Sequence, residues 1–222
     1  MTERHKEVVK ETMQVLYVPP PDFIRLCLKG RMVKNVAASF EVSLPLFFAC
    51  PALAQHETFT ISPESSDVSF TLGGSAHETH GTFHVQGGLV SFERNSPQIS
   101  GPVVVAACSG NMGNDARDKK MKSEVLDAPH FTDVSFAPSS YQGTVAATGD
   151  STIQVTGTFT LHGTPHDLIV PIRVHIDGTE CTAKTHFVVP YVKWGLKDPS
   201  VFILKVAKEV DIDLTLVGHL SR

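Results

Sequence analysis

The sequence predicts an all-β fold, an antiparallel barrel or sandwich carrying one short helix near residues 114–126. Three observations predict it. Beyond residue 55, apolar and polar residues alternate with a period of two, which puts every second side chain on one face of an extended strand. Gly and Asp-Gly punctuation cuts these runs at short intervals into roughly eight to ten strands. One segment breaks the alternation, and its charges are ordered as in a helix.

Taken in chain order, residues 1–31 carry three consecutive prolines, Pro19, Pro20 and Pro21, which stop any helix begun near Thr2. We expect this stretch to be an upstream mis-annotation, with translation starting at Met32, or else a disordered leader. Residues 32–54 read as a secretory signal peptide: Lys34 supplies the positive start, Val36 to Cys50 is mainly apolar, and Ala52-Leu53-Ala54 forms an A-x-A cleavage site. Glu41 and Pro45 interrupt the apolar run, which is too short for a membrane anchor. The expected mature domain is therefore 55–222, placed in the periplasm or secreted.

Within that domain, Asp67 to Leu72 puts Val68, Phe70 and Leu72 on one face. Phe83 with Val85, and Val90 with Phe92, repeat the pattern on either side of Gly87-Gly88, which reads as a hairpin turn. Pro102 to Cys108 is apolar on both faces, as in a strand covered on both sides. Ile153, Val155, Gly157, Phe159 and Leu161 alternate with polar residues, and so do Leu168, Val170, Ile172, Val174 and Ile176. Val210, Ile212, Leu214 and Leu216 do the same at the end. In the exceptional segment Asn114 is the expected N-cap. Asp115 and Asp118 precede Lys119, Lys120 and Lys122, and Met121, Val125 and Leu126 form a narrow apolar stripe suited to closing one side of the sheet.

A chain of 222 residues, 41% hydrophobic, is long enough for one domain with an ordinary core. Its net charge of −4 offers no basic face for nucleic acid and no polybasic surface for membranes. Thirteen Phe against three Tyr and one Trp suit a greasy interior. Export would remove Cys27 and Cys50, leaving Cys108 and Cys181 either bridged or free in an oxidising compartment. Eleven histidines invite a metal reading, with His77, His80 and His84 close together and His162 and His166 around Gly163-Thr164-Pro165. His77 and His80 lack the i, i+4 spacing of the helical zinc motif, and the sequence around these histidines is strand and turn, so no metal site is expected. There is no G-x-S-x-G elbow, no phosphate-cradling loop before a helix and no base at a known spacing from either cysteine. Catalysis and a required cofactor are not expected.

Three ordered blocks carry a family resemblance. Gly113-Asn114-Asp115-Ala116-Arg117-Asp118, followed by Met121 and Val125-Leu126-Asp127, resembles the G-N-x-x-R-D signature of the YceI-like family. Val155-Thr156-Gly157-Thr158-Phe159-Thr160-Leu161-His162-Gly163 is similar to its V-x-G-x-L-T-x-H-G strand. Ile61-Ser62-Pro63 with Ser66-Asp67-Val68-Ser69-Phe70 is similar to its opening strand pair. Ser65 and Thr132 depart from the family's usual His and Pro, and Pro190 to Ser200 looks like one of its subgroups.

The resemblance implies an extended, lipocalin-like antiparallel β-barrel. Its interior would hold a long apolar ligand, a polyisoprenoid or isoprenoid-quinone-like amphiphile, as carrier or reservoir. On that implication Phe70, Leu72, Phe83, Phe92, Phe136, Phe159 and Trp194 line the cavity, and Asn114, Arg117 and Asp118 are the signature's polar positions. From the residues alone the same aromatics suit a packed core equally well. Arg117 and Asp118 either tie the helix to a neighbouring loop or meet a head group. The expected partner is an isoprenoid-like lipid, with no nucleic acid and no stable membrane insertion of the mature chain; a homodimer is left open. Two alternatives stand beside this reading: a histidine-dependent metal or redox protein, and a structural envelope stress protein with a filled barrel.

Overall fold

Alternation along each strand becomes an inside and an outside once the sheet closes on itself. The computed structural model describes residues 56–75, 77–94, 96–200 and 205–222. The expected leader (1–31) and signal peptide (32–54) lie outside the described residues. Among the described residues there are eleven strands: β1 His56–Ile61, β2 Asp67–Leu72, β3 Thr79–Phe83, β4 Val85–Glu93, β5 Ile99–Ser100, β6 Val103–Ala106, β7 Asp133–Gln142, β8 Gly149–Leu161, β9 Thr164–Asp177, β10 Glu180–Val189 and β11 Val210–Ser221. They pair antiparallel in the order β1-β4-β6-β7-β8-β9-β10-β11, and β11 returns to β1 through Phe59 opposite Leu220.

The result is a closed barrel of eight staves. β1 and β2 lie end to end along β11, on Gly218–Ser221 and Asp211–Thr215 respectively, and count as one stave. β3 and β4 lie end to end against them and form the next. β5 extends the stave of β6 along β4. Closure satisfies the backbone groups that an open edge would expose.

Gly87-Gly88 is not the hairpin turn that its dipeptide predicts. Both residues lie inside β4, where the register against β6 shifts between Val85 and Gly87. Gly87 has φ +135° and absorbs the extra residue as a bulge, the other structure that strand glycines mark. A hairpin turn does occur at His162-Gly163, with φ +52° and +70°. Those values match a two-residue turn whose twist suits the flanking strands, here β8 and β9 with Leu161 opposite Thr164.

The alternating apolar rows from Ile153 to Leu161 of β8 and from Leu168 to Ile176 of β9 face inward, with Val155, Val170 and Ile176 among the most buried residues, while Ile169 between two of them is exposed. The helix α1 runs over Asp115–Lys120 and continues as a π-helical turn through Met121–Val125. Asn114 caps it, its side-chain oxygen accepting the Arg117 N–H at 3.1 Å. Asp118 is buried, and its carboxylate accepts the Met112 N–H at 2.8 Å, tying the helix to the segment before it. No Cys108–Cys181 bridge forms. Cys108 is exposed in the 3-10 turn Ala107–Ser109 and Cys181 is buried on β10, both as free thiols.

Gly157 has a packing reason for its identity. A Cβ there would sit 2.7 Å from the Phe136 ring and 2.6 Å from the Ala137 carbonyl oxygen, so the ring on β7 lies directly over the bare backbone of β8. We therefore expect Gly157→Val to cost about 2 kcal/mol by overpacking, seen as a Tm lower by roughly 4–8 °C. The double variant with Phe136→Ala should fall short of the summed single effects by about 1 kcal/mol, because the two residues share one contact.

Candidate functional site

Eight staves leave more room than their side chains fill. The barrel encloses a cavity of about 560 Å³, lined by residues from every stave and by the helix. Phe70, Leu72, Phe83, Phe92, Phe136 and Phe159 all line it. The rings make tilted and edge contacts rather than a solid plug: Phe70 and Phe83 are 5.4 Å apart at 41°, and Phe159 and Phe187 are 6.0 Å apart at 72°. Met121, Val125 and Leu126 of the helical segment line the same space, so the helix forms part of its wall.

Trp194 stands apart from the expected lining. Pairing between β9 and β10 runs only from Glu180–Asp177 to Thr185–Ile172, so the two strands part toward the helix end. Trp194, from the turn after β10, stacks on His166 of β9 at 4.1 Å and 6°, and packs on Phe159 at 5.8 Å. It fills the join between strands instead of facing the cavity. The His166 ring is thereby buried at Nε2 with no hydrogen-bond partner.

Polar groups reaching the interior are mostly spent on the backbone. The Tyr141 hydroxyl donates to the Glu93 carbonyl at 2.5 Å, and the Tyr191 hydroxyl to the Ala207 carbonyl at 2.6 Å. Burial pushes the Tyr191 phenol up to about 12 and the Cys181 thiol up to about 11, which keeps both neutral. Cys181 is thus a small apolar wall residue, not a nucleophile. Among the described residues no three His, Cys, Asp or Glu side chains gather as a metal would require. His80 instead bonds the Thr71 hydroxyl at 3.0 Å, and the His162 ring rests 4.2 Å from that of Phe131.

The two ends of the cavity differ. At the end away from the helix, Glu57 is 1% exposed on β1, in the inward register shared with Phe59 and Ile61. Arg94 clamps it with two bonds, 2.9 Å and 2.5 Å, and also donates to the Val145 and Ala146 carbonyls. Arg222 adds a contact at 3.3 Å. One ion pair therefore joins both ends of the domain to the β7–β8 connection. At the helix end, Arg117 and Lys120 line the cavity, and Lys205 joins them from the connection before β11. Asn114 is exposed at the helix start and is not a lining residue.

Lys205 and the Glu57–Arg94 pair were not among the expected site residues. Glu57 had a signal, a carboxylate on the apolar face of an alternating strand. Lys205 had none, since the Ser75 N–H bond to its carbonyl at 2.9 Å links segments far apart in sequence.

Comparison with known proteins gives a consistent result. The family model described as YceI-like domain matches residues 59–218. A UPF0312 protein of Pseudomonas fluorescens is 25% identical over 198 residues, covering 84% of this chain and 98% of that protein. Two solved structures share the fold. BcnA of Burkholderia cenocepacia has a TM-score of 0.58 at 23% identity, covering 71% of this chain and 99% of its own. A polyisoprenoid binding domain from Saccharophagus degradans has a TM-score of 0.57 at 14% identity, covering 73% of this chain and 98% of its own.

The buried ion pair yields a pH dependence. The Arg94 guanidinium bonding to Glu57 holds its carboxyl below the usual carboxylate range, outweighing the opposing effect of burial. A depressed folded-state pKa adds stability above the ordinary glutamate value of about 4.3, and that stability is lost as pH falls through the folded value. Glu57→Gln should cost about 3 kcal/mol at pH 7, because Arg94 is left without its counter-charge. Thermal melts between pH 7 and pH 3 should show the gap between variant and parent closing as acid is added.

Proposed function

Because the chain belongs to the YceI-like domain family, we propose that it binds a long apolar ligand, a polyisoprenoid or similar amphiphile, inside its barrel as a carrier or reservoir. The observation that carries this reading is the apolar cavity of about 560 Å³, a size typical of small-molecule sites. Burying a methylene gains about 0.8 kcal/mol, so a tail of about ten carbons gains about 8 kcal/mol before ordering costs. Binding of this kind needs no reacting group, and the buried phenols and thiol of the wall are held neutral. The fold shared with a polyisoprenoid binding domain supports the choice of tail.

We also propose that the domain acts after export, with cleavage following Ala54. The support is the charged start, apolar run and A-x-A site of residues 32–54. A lipid with a long tail needs a sheltered path through water, and an exported barrel supplies one.

Protein purified from its native host, extracted with organic solvent and examined by mass spectrometry, should release a stoichiometric lipid; repeated recovery of empty protein sinks the proposal. Ala183→Trp, which places an indole in the cavity from the β10 wall, should weaken binding of a fluorescent lipid probe at least tenfold (about 1.4 kcal/mol). N-terminal sequencing of the host protein should begin at Gln55; a full-length cytoplasmic chain contradicts export.

A further inference from the structure

We propose that the amphiphile held by this barrel carries an anionic head group, a carboxylate or a phosphate monoester, seated at the helix-end mouth by Arg117, Lys120 and Lys205. The inference rests on the binding function proposed above and narrows its ligand.

The sign of the lining carries the argument. The chain holds 23 Asp and Glu against 19 Lys and Arg, yet among the described residues not one carboxylate lines the cavity. Its charged lining consists of Arg117, Lys120 and Lys205, with His77 beside them. A net acidic protein has thus placed cations, and among the described residues no carboxylate, around this apolar cavity. None of the three makes an ion pair among the described residues. The acidic groups that feel them are committed elsewhere. Glu124 accepts Lys197 at 2.6 Å, and Asp198 accepts the Ser200 N–H at 2.8 Å. Asp118, next to Arg117 in the chain, is buried on the Met112 N–H.

Position fits the role as well. Arg117 and Lys120 come from the helix that walls one end, and Lys205 from a segment bonded to the β2–β3 connection through Ser75. Arg117 and Lys205 are exposed and Lys120 is half-buried, so a head group there stays in contact with water while its tail enters the dry interior. Charge-assisted bonds from a guanidinium and two ammonium groups suit an oxyanion. A neutral quinone ring has no charge for them to meet. At the other end the single carboxylate facing inward, Glu57, is neutralised by Arg94, so nothing there competes for an anion.

The test compares heads on a common tail. Delipidated full-length protein is titrated at pH 8 and low salt with farnesyl monophosphate and farnesol, and with hexadecanoate and hexadecanol, each displacing a fluorescent lipid probe. Exposed cations act through water, so the ionised member of each pair should bind about tenfold tighter, not thousands of times tighter. Salt at 0.5 M should shrink that ratio. In the R117Q/K120Q/K205Q variant, with its Tm checked, the ratio should fall to about one. Equal binding of acid and alcohol by the parent overturns the proposal. So does displacement by inorganic phosphate at the concentration where farnesyl monophosphate works, since the site would then ignore the tail. If all four ligands fail to bind, it is the binding function itself that falls.

Discussion

Eight staves fix the bore of this barrel, and the bore governs what its inward side chains can do. A sheet closed at this width lies at the boundary between an interior filled by side chains and one that keeps a hole. Here the inward residues are valine, isoleucine, leucine and phenylalanine, with glycine at Gly157 where the Phe136 ring lies on the backbone. That set coats the wall without meeting in the middle. A hole of about 560 Å³ is the outcome, and its walls have few polar groups with which to hold water.

The polar residues that do reach the interior divide by end. Glu57 and Arg94 close one end with a paired charge whose remaining bonds go to the Val145 and Ala146 carbonyls. The opposite end is walled by the helix, whose short apolar stripe faces in while its cations rim the opening. A neutralised floor and a cationic rim give the cavity a direction. The amphiphile proposed above would have one favourable orientation in it.

Much of the fold was legible because alternation is a property of the backbone. Leu168 to Ile176 reads as an inward row on any strand, and it is one. Asn114, Asp115 and the lysines after them announce a helix through local capping and dipole effects, and the helix is there. What failed to show depends on partners. Gly87-Gly88 serves a turn or a bulge, and only the strand facing it decides which. Phe70 and Phe159 face inward in a solid barrel and in a hollow one alike, because hollowness comes from the number and stagger of staves. Trp194 left the cavity for a join between β9 and β10 that no local pattern encodes. Lys205 reached the mouth through a bond to the β2–β3 connection, a meeting of distant segments.

The seam between β1 and β11 has a consequence for how the chain is made. Around the rest of the barrel each stave pairs with its neighbour in sequence. The seam alone joins the first stave to β11, through Thr58–Ile61 on Gly218–Ser221 and Asp67–Thr71 on Asp211–Thr215. A ribosome delivers β1 first and its last partner last. Throughout that interval the first stave has an unpaired flank, exposed to strands of other chains. Closure of this barrel therefore waits for β11, which acts as the latch.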